Sequence, residues 1–510
     1  MDNEVYDITV IGSGLGGAVC ATVLAKQGFN VLMIEKGSHP RFALGESATP
    51  VTTFYFKKFS EMYDIPEYLP LSSYHTMDQA GKKMIYGPKE LFHYCWHDIS
   101  GKKEWDKKEI AVQTPGVDVQ YYREDLDFYL VEIAEKYGVE YIDNANVTNV
   151  EEKIDYIELT VDISGEVKNI HSKYVIDATG FKSVLADQFD LRMKDPGTPL
   201  KSRTIFTHFK NINSLESVVS NGDNFNDDLP VHRSQGTTHH CFDGGWYWII
   251  PFDNGVTSVG LSLDMHKYPD NDLSAEDEFW EITNKLPTVK NILTGAKTVR
   301  PYIKTGRIQY QSKKSIGDRW ALLPAASYGI DAWQSSGMAL TLISIDRLVW
   351  GLKNIVFRFD HFQQEEMSYY NDVLKKEYEN ITGFVYGIYK SFKHHDLLRH
   401  FCLLPFMGVE KHVLDGGLNR PWDNNSIFMN FGNPHFSACV KELHCIVDKY
   451  SESAVLPKTA IDKIKKIMLE DMAIYNTRDY GDEIKSNIYL RQEKETEMLE
   501  SVMQSNIVTG

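Results

Sequence analysis

Two groups of residues in this sequence have types and spacings that point to chemistry. Gly12, Gly14 and Gly17 form a G-x-G-x-x-G turn, and an acid, Glu35, follows at a distance. Such a turn binds a dinucleotide when a strand precedes it and a helix follows. The first glycine allows the tight turn, the second lets backbone approach a pyrophosphate, and the third lets helix and strand pack closely. The helix N-terminus then offers N–H groups to the anion, and Glu35 would accept hydrogen bonds from a ribose hydroxyl. The second group is Gly245–Pro251, GWYWIIP. In an extended strand Trp246, Trp248 and Ile250 share one face, with Tyr247 and Ile249 on the other. Two indoles on one face make a rigid apolar wall, and Pro251 stops the ladder. Aromatic strand packing alone would account for such a segment.

The elements that must position these residues are legible around them. Residues 5–11 (VYDITVI) have the β-branched, apolar profile of a buried parallel strand. A helix is predicted from Ala18, with Val19, Val23 and Leu24 facing the sheet and Gly28 closing it. A second strand over Asn30–Ile34 delivers Glu35. Arg123 opens an amphipathic helix in which Leu126, Leu130, Ile133 and Tyr137 recur, with Gly138 beyond its end. Lys173–Gly180 reads as a strand ending in a small-residue turn. Trp320–Leu323 reads as another strand, and Ser335-Ser336-Gly337 opens a helix through Leu340, Leu342, Ile343 and Leu348.

Composition sets the limits. The 510 residues carry 54 basic and 71 acidic side chains, a net charge of −17, which disfavours nucleic acid as the main partner. No run of 18 apolar residues predicts a membrane-spanning helix, and the acidic N-terminus does not resemble a signal peptide. A cytoplasmic protein is therefore expected. Six scattered cysteines (Cys20, Cys95, Cys241, Cys402, Cys439 and Cys445) support neither a disulfide framework nor a zinc knuckle. His93 and His97 are spaced i,i+4 and could share a face, but a metal would need a third ligand nearby, Asp98 points elsewhere in either periodicity, and no metal is expected. His239-His240 and His394-His395 are adjacent pairs facing apart. The aromatic stretch Phe384–Phe392 fits core packing better than a cavity wall, and charged runs such as Lys463–Lys466 and Arg491–Glu500 fit solvated faces.

Further segments resemble FAD-dependent monooxygenases. Gly37–Pro50 carries Arg41 and the Gly45-Glu46-Ser47 turn that this group places beside its flavin. Arg123, Gly180 and the Gly317-Asp318 turn are assigned to the cofactor on the same resemblance. No second G-x-G-x-x-G with strand and helix context follows, so a dedicated NAD(P)H domain is not expected and another protein must reduce the flavin. With W-x-W-x-I-P between these segments, the chain resembles the flavin-dependent halogenases over about residues 5–350. That resemblance implies a catalytic lysine seven residues before a tryptophan. Lys82, Lys83 and Lys89 compete for the role, and Trp96 selects Lys89. It also implies a wall of Trp246, Trp248, Ile250 and Pro251 that keeps organic substrate from the flavin, and halide at Ser336 and Gly337. Tryptophan halogenases carry a glutamate two residues before the Ser/Thr-Gly pair, where this chain has Gln334. Glutamine is no base, which favours a phenol-like ring over free tryptophan.

The expected fold is α/β, a glutathione-reductase-type (Rossmann-like) FAD fold with an inserted β-rich substrate domain and a helical C-terminal region. Residues 1–200 and 311–360 form the FAD module, 201–310 the substrate domain and 361–510 the helical region. The expected activity is that of a two-component halogenase. Reduced FAD and O2 oxidise halide to hypohalous acid, and Lys89 directs the halogen to a small aromatic substrate by hydrogen bond or as a haloamine. A separate flavin reductase would supply FADH2, and a homo-oligomer is compatible. A single-component FAD-dependent aromatic hydroxylase is the main alternative; a flavin reductase of isoprenoid double bonds and a non-catalytic flavin-binding subunit are others.

Overall fold

The computed structural model describes residues 5–81, 83–99, 109–219, 229–414, 416, 423, 425–482 and 487–491. Two sheets organise the described residues. The first contains the N-terminal strand Val5–Ile11, paired in parallel with Val31–Ile34 on one side and Glu166–Asp177 on the other. Glu140–Ile142 lies outside Val31–Ile34, and Trp320–Leu322 adds in parallel to the C-terminal half of Glu166–Asp177. These ends converge on the glycine turn. The helix starts at Leu15, three residues before the sequence-predicted Ala18, and runs to Lys26. The earlier start follows from Gly14, whose extended backbone is the N-cap, so Leu15, Gly16 and Gly17 are already the first helical turn.

The second sheet runs Lys297–Thr298, Ser202–Lys210, Val256–Asp264, Gly245–Pro251, Gly236–Phe242, Tyr86–His97, Glu109–Tyr121 and Ile488–Tyr489. Two of its long strands, Tyr86–His97 and Glu109–Tyr121, thus come from inside the segment expected to belong to the FAD module. The link is parallel pairing of Tyr86–His97 with Gly236–Phe242, a long-range contact that local periodicity does not encode. The C-terminal region is helical, led by Ser368–Ser391. The buried pair Lys58–Asp346, 2.7 Å apart, ties the Pro50–Met62 helix to the Ser336–Gly351 helix. Among the described residues no helix is long and apolar enough to cross a membrane.

His93 and His97 lie on a strand, not a helix. His93 meets Glu109 at 2.8 Å, while His97 Nε2 lies 3.0 Å from His240 Nδ1. His239, facing the other way, stacks on Tyr94 with centroids 4.6 Å apart. Burial pushes His97 and His239 down to about 3, and His240 well below the usual histidine range. A histidine held neutral when folded takes up a proton on unfolding once pH drops below ~6.5, so stability falls as pH falls. The cost is about 1.4 kcal/mol per histidine per pH unit, or about 4 for the three. Thermal melts of the FAD-loaded protein should therefore show Tm dropping between pH 6.5 and 5. A flat Tm over that interval contradicts this.

Candidate active site

The glycine turn has the geometry its spacing implies. Gly12 has φ +98°, and a β-carbon there would lie 2.8 Å from the Ala178 carbonyl oxygen. At Gly17 it would lie 1.8 Å from the Gly12 carbonyl oxygen, so strand and helix touch backbone to backbone. At Gly14 it would meet only the ends of the Arg41 and Asp127 side chains, at 3.6 Å, which leaves the turn open to a ligand. Glu35 accepts from the Ser13 N–H and Oγ (both 3.0 Å), the Gly37 N–H (3.0 Å) and Arg41 (3.1 Å). Burial opposes its ionisation, but the Ser13 N–H, Arg41 and the Gly37 N–H outweigh it and hold the carboxyl below its usual range.

Arg123 does not face the glycine turn directly. It makes a bidentate pair with Asp127 (2.8 and 2.9 Å) and donates to the carbonyls of Leu44 (2.8 Å) and Gly45 (3.1 Å). It thereby anchors the Gly37–Pro50 segment and presents Glu46 and Ser47 inward. Thr49 caps the helix that follows.

A cavity of about 680 Å³ lies between the sheets, lined among others by Glu46, Ser47, Trp246, Trp248, Ile250 and Gly337. Trp246, Trp248 and Ile250 face it together, while Tyr247 and Ile249 pack into a separate core on the sheet's other side. The two indoles are 5.7 Å apart. Trp246 donates to the Tyr389 hydroxyl (3.1 Å) and Trp248 to Ser258 Oγ (3.3 Å). Room for the Trp248 ring exists because residue 260 is glycine: a β-carbon there would sit 1.9 Å from the indole. Pro251 ends its strand opposite Thr257, against Gly87, and is not among the lining residues.

A second, apolar cavity of about 60 Å³ is lined by Thr49, Val51, Phe92, Gln334, Phe406 and Glu410, among others. Ser336 lines both cavities. Lys89 lines neither cavity itself but touches one lining residue of each. Its ammonium donates to Ser47 Oγ (2.6 Å), at the large cavity, and to the Ala48 carbonyl (2.5 Å). It also lies 3.8 Å from the centroid of Phe92, at the small one. The lysine is fully buried, whereas Lys83 is exposed and Lys82 lies outside the described residues. The ladder shifts register between Lys89 and Leu91, and such a bulge re-aims side chains. Burial lowers the Lys89 pKa, with Asp118 pulling the other way. Trp96, which selected Lys89 by spacing, lines neither cavity; its indole donates to the Phe392 carbonyl (2.7 Å).

Gln334 and Ser335 both have positive φ (57° and 56°), an uncommon conformation for non-glycine residues that marks a constrained turn. It turns the chain into the Ser336–Gly351 helix, whose first residues, Ser336 and Gly337, line the large cavity. Gln334 donates to the Cys402 carbonyl (2.7 Å) and Tyr94 (3.2 Å), and Ser336 Oγ is buried without a partner. Gly180 adopts φ +67° beside Phe181, which lines the large cavity. Asp318 is not brought to the site. It is exposed, accepts from the Gln364 N–H (3.0 Å), and precedes the Trp320–Leu322 strand. Ligands of parallel sheets sit at the carboxyl ends of strands, and Asp318 is at the other end. The residue that returns to the cavity is Asp331, which accepts from Ser202 (2.5 Å) and Tyr389 (2.9 Å). A search downstream of the strand instead of upstream would have found it.

A dinucleotide turn, a broad cavity at the carboxyl ends of a parallel sheet, and a buried lysine that touches the lining of that cavity and of a second one define a dinucleotide-binding α/β protein with two neighbouring cavities. Residues 10–53 match the NAD(P)-binding Rossmann-like domain, and residues 53–398 match the tryptophan halogenase family. Tetracycline 7-halogenase of Kitasatospora aureofaciens is 32% identical over 403 residues, covering 77% of this chain and 71% of that protein. Monodechloroaminopyrrolnitrin halogenase PrnC of Pseudomonas fluorescens is also 32% identical over 403 residues, covering 77% and 69%. The halogenase PltM superposes with a TM-score of 0.87 at 25% identity, covering 96% of this chain and 100% of that one. PltM has also been crystallised with phloroglucinol and FAD (TM-score 0.86, 25% identity, 95% and 100% covered). The chain belongs to the flavin-dependent halogenases.

It is an enzyme whose cofactor is FAD, with halide and O2 as co-substrates. The residues present fit that cofactor. The turn is open at Gly14, and the large cavity's wall holds a buried carboxylate, Glu46, whose oxygens have no hydrogen-bond partner. Glu46 Oε1 approaches His208 Nε2 to 2.8 Å, but out of line for a hydrogen bond, so its lone pairs are left for a polar ring edge.

Proposed function

We propose that the chain halogenates a small, free, phenol-like aromatic compound, with FADH2 delivered by a separate flavin reductase. The observation that carries this reading is the place of Lys89, touching Ser47 at the large cavity and Phe92 at the small one. Gly12, Gly14, Gly17, Glu35 and the Glu46–Ser47 turn would hold the reduced FAD, which with O2 would supply the oxidation of halide to hypohalous acid. The chain's own residues do the rest. The N–H groups of Ser336 and Gly337, at a helix N-terminus, hold the halide. Trp246 and Trp248 close the cofactor side to the organic ring. Lys89 takes the oxidised halogen from one side and presents it on the other.

Three observations support the substrate class. Gln334, tied to Cys402 and Tyr94, offers no carboxylate to a ring proton, which suits a ring whose own hydroxyl activates it and gives up a proton. PltM, similar along nearly the whole chain, has been crystallised with the phenol phloroglucinol. The small cavity measures about 60 Å³, whereas a cavity on the order of 150 Å³ admits benzene, which favours a small ring as its occupant. The test is a mass-spectrometric screen of phenols, indoles and pyrroles with a flavin reductase and chloride, bromide or iodide. Halogenated phenols are expected; a hydroxylated product, or turnover confined to indoles, overturns the reading.

A further inference from the structure

Asp118 is a buried acid that the reading above leaves without a task. It is the cross-strand partner of Lys89 in the antiparallel ladder of Tyr86–His97 and Glu109–Tyr121, at the last pair before the bulge. Cross-strand partners project from the same face. Asp118 Oδ1 accepts from the Thr53 hydroxyl (2.8 Å), while Oδ2 is buried with no hydrogen-bond partner. Lys89, in turn, donates only to the neutral acceptors Ser47 Oγ and Ala48 O. No hydrogen bond or ion pair joins Lys89 to Asp118, so the buried carboxylate acts on the buried amine across the ladder, and the two protonation equilibria are linked. Neither charge is stable alone at such a site, and each group favours the charged form of the other.

We propose that Asp118 is the positioning residue that sets whether Lys89 is an ammonium or an amine, the two sharing a single exchangeable proton. The inference rests on the proposed role of Lys89. The exchange is Lys89–NH3+ plus Asp118–COO− giving Lys89–NH2 plus Asp118–COOH. The amine nitrogen then attacks the halogen of hypohalous acid, which the established activity supplies. The N–X bond forms, the O–X bond breaks, and the departing hydroxide takes an amine proton to leave as water. Transfer to the ring breaks N–X, forms C–X, and returns the ring proton to nitrogen. Burial raises the Asp118 pKa and lowers that of Lys89, so the two converge, which is the condition for sharing. The other charged or titratable groups acting on this pair are His239, on the Gly236–Phe242 strand, which feels Lys89, Tyr121, which feels Asp118 and is held neutral by burial, and Arg491, which acts on Asp118. His239 is held neutral by burial, and Arg491 is held by the Gln113 and Thr114 side of the sheet.

The test is Asp118→Asn, which keeps the Thr53 hydrogen bond and removes the charge, with Asp118→Glu as the conservative variant. The FAD-loaded proteins, labelled with 13C at lysine Cε, are titrated by NMR, and Lys89 is assigned by its absence in Lys89→Met. Asp118→Asn should shift the Lys89 titration to lower pH by at least one unit, and Asp118→Glu should restore part of the shift. The pH profile of product formation should move acidward with it. An unmoved Lys89 titration in correctly folded Asp118→Asn overturns the proposal. The NMR titration does not depend on turnover. Normal product from Lys89→Met would sink the functional reading of Lys89 while leaving the proton sharing to be judged on the titration itself.

Discussion

Lys89→Ala should retain FAD and still generate hypohalous acid, yet form halogenated product at a rate lower by about 10²–10⁴-fold, the usual effect of removing a positioned proton-transferring or nucleophilic side chain. The reason lies in where the side chain sits. Its Nζ contacts Ser47 at the large cavity and the Phe92 ring at the small one, and it is itself fully buried. None of the residues that build the dinucleotide turn touches it. Removing it therefore leaves the oxidant without a carrier, and free hypohalous acid should then escape and halogenate an added scavenger. Lys89→Met, which fills the same space without a charge, separates the chemistry from the cavity that alanine would leave. The measurement is the partition of oxidant between regioselective product and scavenger, with flavin absorbance as the control for folding. Normal product from either variant removes Lys89 from its role.

The second large effect is expected at Gly17, and it is informative beside Gly14. A β-carbon at Gly17 would stand 1.8 Å from the Gly12 carbonyl oxygen and 3.2 Å from the Ala178 β-carbon. The nearer clash is with backbone, and no rotamer relieves it. Gly17→Ala should force the Leu15–Lys26 helix off the Val5–Ile11 strand, destabilise the protein by about 3 kcal/mol or more, and raise the FAD Kd at least 100-fold. Gly14→Ala, whose β-carbon meets only movable side-chain ends, should leave Tm nearly unchanged and weaken FAD by crowding the pyrophosphate. Differential scanning calorimetry and flavin titration read both. Equal Tm losses in the two variants would contradict this division of labour.

Much of the site could be read along the chain because its constraints are local. The glycines of the first turn, Glu35 at the end of the second strand, and the alternation that puts Trp246, Trp248 and Ile250 on one face each depend on the covalent geometry of a few neighbouring residues. Such a period survives in any fold that contains it. The spacing from Lys89 to Trp96 picked out a buried lysine that touches the lining of two cavities, although Trp96 itself only joins the sheet to the helical region through Phe392.

What the chain could not announce is what depends on contacts between distant segments. Tyr86–His97 joins the second sheet by parallel pairing with a strand some 150 residues away, and that pairing places Phe92 beside Thr237 and Tyr94 beside His239. The Gly317-Asp318 dipeptide has the composition of a cofactor turn, yet it stands at the wrong end of its strand, and only strand direction in the finished sheet assigns the return position to Asp331. Asp118 likewise acquires its place opposite Lys89 from a register set by a bulge. Sequence fixes which side chains exist and which face of a local element they occupy; burial, and with it the loss of water that makes a lysine and an aspartate compete for one proton, comes into being only when the sheets close over them.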